Sequence, residues 1–116
     1  PERLFLLGSE IDIVIKKFSP EKLAIEKLYF ENNQRTAMGV SEARGAIIYV
    51  GRSNDLDILE YTPLQIKSAV TGYGKATKDQ VHTMVSKLIV LPPDIKQDDE
   101  IDAIAVALTG FATTRL

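Results

Sequence analysis

The sequence predicts an α/β fold, a reduced parallel sheet flanked by helices. Three observations point to it. Two short apolar runs, Leu23–Tyr29 and Leu56–Glu60, have strand length. The segments around them carry apolar residues at helical spacing. Strands that alternate with long helices pair in parallel, because a parallel neighbour is reached only through a crossover connection. The 116 residues suffice for one compact domain and not for two, so 1–116 is expected to be a single domain.

In chain order, Arg3–Phe18 presents Leu4, Leu7, Ile11, Val14 and Phe18 as one apolar stripe. Ser19-Pro20 ends that helix, since the residue before proline disfavours helical dihedrals. Leu23–Tyr29 reads as a buried strand. Asn33–Arg52 reads as a long helix with Met38, Val40, Ala43, Ile47 and Val50 inward. Leu56–Glu60 is the second strand. Thr62-Pro63 supplies an N-cap and a first-turn proline for a short helix to Val70. Thr71-Gly72-Tyr73-Gly74 is a loop, without the spacing of a phosphate-binding loop. Thr77 and Gln80 form a capping box that opens a helix through Val81, Met84, Val85 and Leu88, and Leu91-Pro92-Pro93 breaks it. Asp98 begins a last helix with Ile101, Ile104, Ala105 and Leu108 buried. Two strands are too few to cover and close a parallel sheet, so further strands are expected beside Leu23–Tyr29, and the fold reads as truncated at its N-terminal side.

Composition narrows the function classes. Hydrophobic residues at 45% and charged residues at 26% describe a globular chain. The absence of cysteine excludes disulfides, thiolate catalysis and cysteine-bound zinc. No apolar run approaches the roughly 20 residues of a membrane helix, so no membrane partner is expected. No leader is visible in a chain that begins at Pro1. The net charge of −2 does not by itself advertise nucleic acid, but an acidic pocket beside a basic groove averages to such a value.

Two features carry chemistry. Glu26 closes an apolar strand run, and a carboxylate there is costly to bury unless paired or bound to a cation. Its other reading is a solvated strand end, paired with Lys27. Ligands in α/β folds bind beyond the carboxyl ends of parallel strands, where Glu26 lies. The second feature is Asp98-Asp99-Glu100-Ile101-Asp102. Asp99 and Asp102 are three residues apart and share a helical face. Asp98 and Glu100 suit a helix N-terminus through the macrodipole. Asp102, set among Ile101, Ala103 and Ile104, lies at the margin of the buried side. Carboxylates converging from a strand end and a helix make a hard-oxygen site for Mg²⁺, with Mn²⁺ able to substitute. Two such ions about 4 Å apart serve phosphodiester cleavage. The lone histidine, His82, reads as a partly exposed helix residue and not a catalyst.

Taken in order, Ala24-Ile25-Glu26-x-x-Tyr29, Glu42-Ala43-Arg44-Gly45, Gln65-Ile66-Lys67, Gly72-x-Gly74, Lys78-x-Gln80-Val81 and Asp99-x-x-Asp102-Ala103 resemble the RuvC family of Holliday junction resolvases. Each piece is weak alone; six in order with compatible spacing form a specific signal, running from about Arg3 to the end of the chain. The resemblance implies a ribonuclease H-like fold, a homodimer, symmetric nicking of four-way junction DNA in recombination and repair, a branch-migration motor as partner, and a bacterial cytoplasmic setting. It implies catalytic and metal-ligating roles for Glu26, Asp99 and Asp102. Tyr29, with Phe30 adjacent, falls where the family stacks an aromatic on an unpaired base, a contact worth roughly 1–3 kcal/mol; covering the strand end is the alternative. Lys67 and Lys78 fall where family lysines approach DNA phosphates; ordinary surface lysine is the alternative. Arg44-Gly45 is expected to serve close helix packing.

The family's opening strands, the first carrying an essential aspartate, have no counterpart in the sequence. Glu2 and Asp12 lie in a helix region and do not match that motif. Weak metal binding, little cleavage and an exposed Leu23–Tyr29 edge are therefore expected. Two other readings stay open: a non-catalytic DNA-binding or dimerisation fragment of the same parentage, and an unrelated α/β ligand-binding module whose acidic residues are caps. If Glu26 and Asp102 form a metal site, Glu26→Gln and Asp102→Asn are expected to leave stability unchanged or raised.

Overall fold

The computed structural model describes residues 1–27, 34–95 and 98–114, apart from the side chains of residues 34 and 35. The elements are α1 (Glu2–Phe18), β1 (Lys22–Glu26), α2 (Gln34–Ser53), β2 (Asp57–Tyr61), α3 (Pro63–Thr71), α4 (Lys78–Leu88) and α5 (Asp98–Thr114). This is the expected order. β1 and β2 pair. The Asp57 N–H donates to the Glu21 carbonyl at 3.2 Å and the Lys27 N–H to the Tyr61 carbonyl at 2.7 Å. The partners ascend together, so the pairing is parallel. The far end of the first predicted strand, with Tyr29 and Phe30, and the predicted first residue of the long helix lie outside the described residues. No helix of the described residues is long and apolar enough to cross a membrane.

The chain divides into two compact units, residues 1–23 with 29–59, and residues 24–28 with 60–116. In the first, α1 packs on α2. Ser19 caps α1 in the left-handed region at φ 49°, its N–H bonded to the Ile15 carbonyl, immediately before Pro20. The buried stripe departs from the expected one. Ile15 is buried, whereas Val14 and Phe18 are exposed. A helix of 3.6 residues per turn carries the Leu4–Ile11 face on to position 15, and position 14 drifts outward. Met38, expected inward, is 67% exposed. At Gly45, where close packing was expected, a Cβ would meet nothing within 4 Å among the described residues. The close approach lies at Gly51, where a Cβ would stand 2.9 Å from Ile58 Cδ1 and 3.6 Å from Leu23 Cδ1, so the missing side chain lets α2 sit against both strands. After α2 the chain turns through Asn54 and Asp55, the latter at φ 61°. The Asn54 amide donates to Asp12 Oδ1, whose other oxygen takes Lys16.

The second unit is built from α3, α4 and α5, which contact one another pairwise. Its core holds Ile66, Val70, Ala76, Val81, Val85, Ala105 and Val106, with Ala24 and Tyr61 packed against it. The expected capping box forms between Thr77 and Gln80, and the expected N-cap Thr62 forms a second one with Gln65, each side chain bonding the other's backbone N–H. Gly72 ends α3 at φ 80°, a conformation that favours glycine, so the loop glycine serves as a helix cap. α4 stops at Leu88, ahead of the two prolines, with Ile89 already extended. Thr109 is fully buried, and its hydroxyl is satisfied by donating to the Ala105 carbonyl at 2.8 Å.

Candidate active site

Each element of the second unit brings one polar side chain to a common place. Glu26 is the last residue of β1, and Lys67 lies in the middle of α3. Lys78 is the first residue of α4, placed there by the Thr77 cap, and Asp102 is one turn into α5. These four line a cavity of about 290 Å³ whose apolar wall includes Ile66, Val81 and Val106. That volume admits several waters or a phosphate group. Asp99 lines an adjoining cavity, which Glu26 and Asp102 also line. The three carboxylates singled out in the sequence thus face shared space. Among the described residues, no three His, Asp or Glu side chains stand close enough together to hold a metal ion as they are.

The charges are set against one another. Burial, and next the negative charge of Asp102, push the Glu26 carboxyl above its ordinary range, while Lys67 and Lys78 pull it down. Asp102 has close partners: His82 Nε2 lies 2.7 Å from Oδ1 and Lys78 Nζ lies 3.4 Å from Oδ2. Lys78 also stands 3.8 Å from Asp98. The hydrogen bond to Asp102 holds the Lys78 ammonium above its usual pKa. Lys78 is largely exposed, so this pairing adds little to stability.

The donor set suits a hard cation. The negative charge of Asp102 works against the ionised Glu26 carboxylate, a divalent cation would relieve that, and carboxylate oxygens are donors that hard cations take. Glu26 and Asp102 are the carboxylates that would hold such an ion, with Asp99 lining the adjoining cavity.

His82, read from the sequence as a partly exposed helix residue, lies in α4 as expected, but its contact with Asp102 was not foreseen. Its side chain is only 15% exposed and joins the acidic pair member directly. The one available signal was its position four residues after Lys78, which places both on one face of α4. Tyr29 and Phe30 lie outside the described residues.

The parallel strand pair, the helices and the acidic pocket beyond β1 define an α/β protein with a candidate site at the carboxyl end of a strand. The family model for crossover junction endodeoxyribonuclease RuvC matches residues 1–110. The chain belongs to the RuvC family. It is 44% identical over 108 residues to the RuvC of Fusobacterium nucleatum, covering 93% of this chain and 57% of that protein. It is 48% identical over 95 residues to the RuvC of Desulforamulus reducens, covering 82% and 58%. Its fold superposes on Thermus thermophilus RuvC with a TM-score of 0.89, and on that RuvC in complex with a Holliday junction substrate with 0.91. Both are 30% identical and cover 98% of this chain and 69% of theirs. The chain thus spans somewhat under two thirds of those first two relatives' length.

Proposed function

We propose that this chain carries the acidic pocket of an endonuclease that nicks four-way DNA junctions symmetrically, by divalent-metal-dependent phosphodiester hydrolysis in recombination and repair. The observation that supports this reading is that Glu26 and Asp102 line one pocket with Lys67 and Lys78 on its walls. Glu26 and Asp102, with Asp99 beside them, are the ligands of Mg²⁺, for which Mn²⁺ substitutes. When bound, such an ion supplies an activated water and stabilises charge on the phosphate. The two lysines offset phosphate charge and hold the DNA backbone over the carboxylates. Tyr29 and Phe30 stack on a base exposed at the junction. A four-way junction presents two equivalent strands, so two copies related by a twofold axis place one pocket on each. The remaining partner is a branch-migration motor, and the setting is the bacterial cytoplasm; the relatives named above are bacterial.

The test is a competition between a labelled four-way junction and linear duplex, followed by incubation with Mg²⁺. The reading predicts preferential binding of the junction, and nicking that is slight, falls at symmetric positions and is abolished by Glu26→Gln. Equal affinity for duplex, or nicking indifferent to Glu26→Gln, contradicts it.

A further inference from the structure

We propose that His82 is a positioning residue for Asp102: by donating its Nε2–H to Oδ1, it holds that carboxylate in place and so sets the pocket's affinity for a divalent cation. The proposal rests on the reading of the pocket as a cation site. An ionised carboxylate can only accept hydrogen bonds, so the 2.7 Å contact fixes Nε2 as the donor. Its length lies in the charge-assisted range. The imidazole is 15% exposed against 40% for Asp102, so the donor is the more sheltered of the two partners. The other nitrogen, Nδ1, stands 3.9 Å from Asp98 Oδ1, too far for a competing hydrogen bond.

The two partners of Asp102 differ in kind. Lys78 is a flexible, exposed cation 3.4 Å from Oδ2. An incoming metal ion meets it as a like charge, and a DNA phosphate can draw it away. His82 is a short, rigid ring rooted one turn further along the same helix. It ties α4 to α5 through the ligand itself. Hydrogen-bonded partners of metal-ligating side chains orient the ligand and sharpen its donor strength, and their loss costs metal affinity.

The measurement is Mn²⁺ binding to this chain without DNA, followed by the electron paramagnetic resonance of free Mn²⁺, with melting temperature recorded for each variant. His82→Leu fills similar space and cannot donate; it is expected to weaken Mn²⁺ binding by about 10-fold or more. His82→Gln carries an amide N–H at similar reach and is expected to restore most of the loss. Should His82→Leu not fold, His82→Asn, whose shorter amide falls short of Oδ1, takes its place with the same expectation. Unchanged Mn²⁺ affinity in a folded Leu or Asn variant overturns the proposal, as does a folded Gln variant that restores nothing. A parent chain with no saturable Mn²⁺ binding overturns the cation reading itself, and this proposal with it.

Discussion

The negative charge of Asp102 helps hold the Glu26 carboxyl above its ordinary range, across the pocket that the two side chains line. This relationship has a consequence for stability in the absence of metal. Glu26 has a folded-state pKa above its ordinary value of 4.5, so between those two values the folded chain binds more protons than the unfolded one. Stability therefore falls as pH rises from about 4.5 through the raised pKa, and the full destabilisation is present above it. Glu26→Gln removes the titrating group. In chelator-treated buffer its denaturation midpoint should exceed the parent's at pH 7, and the gap should close as pH falls towards 4.5. A gap independent of pH, or a Gln variant less stable at pH 7, contradicts the repulsion.

Asp102→Asn should behave differently from Glu26→Gln, although the residues alone carried the same expectation for both. Asp102 is tied to His82 at 2.7 Å and to Lys78 at 3.4 Å. An amide oxygen still accepts from Nε2, but without charge assistance. The expected net effect is a loss on the order of 1 kcal/mol, read as a lower denaturation midpoint. A clear stabilisation would show that repulsion from Glu26 outweighs both partners.

Lys67→Ala and Lys78→Ala test whether these lysines meet DNA phosphates, as proposed. Each should weaken DNA binding similarly across sequences and reduce the slope of log K against log salt by roughly 1. Salt titrations of junction binding read this directly. An unchanged slope would place that lysine away from the backbone.

The frame that carries the pocket rests on local caps and one tight core. Thr62→Ala and Thr77→Ala should each cost about 1 kcal/mol, because each removes one half of a capping box. Val85 is fully buried among α3, α4 and α5 residues. Val85→Ala should cost about 2 kcal/mol by combining lost transfer energy with a cavity. Urea midpoints for the three variants check the values.

What was readable in the sequence was mostly local. Thr62 and Thr77 act within one turn of themselves, so their caps followed from residue type and spacing, whereas Gly72 was legible only as a loop residue. Glu26 at a strand end and Asp102 beside an apolar face were visible because each interrupts a pattern. Contacts between elements were not visible in this way. The His82–Asp102 bond joins two helices whose approach depends on how Val81, Val85 and Ala105 pack. The outward turn of Val14 and Met38, and the close approach at Gly51 and not Gly45, were hidden for the same reason. An apolar residue reports that some surface wants burial; the rotation of its helix against a neighbour decides whether it gets it.

The central claim is that Glu26 and Asp102 hold a divalent cation between them. The most direct measurement is paramagnetic broadening of backbone amide resonances during a Mn²⁺ titration of this chain. The account predicts saturable broadening centred on Glu26 and Asp102 that Glu26→Gln removes. Broadening centred elsewhere, or none that depends on Glu26, would contradict it.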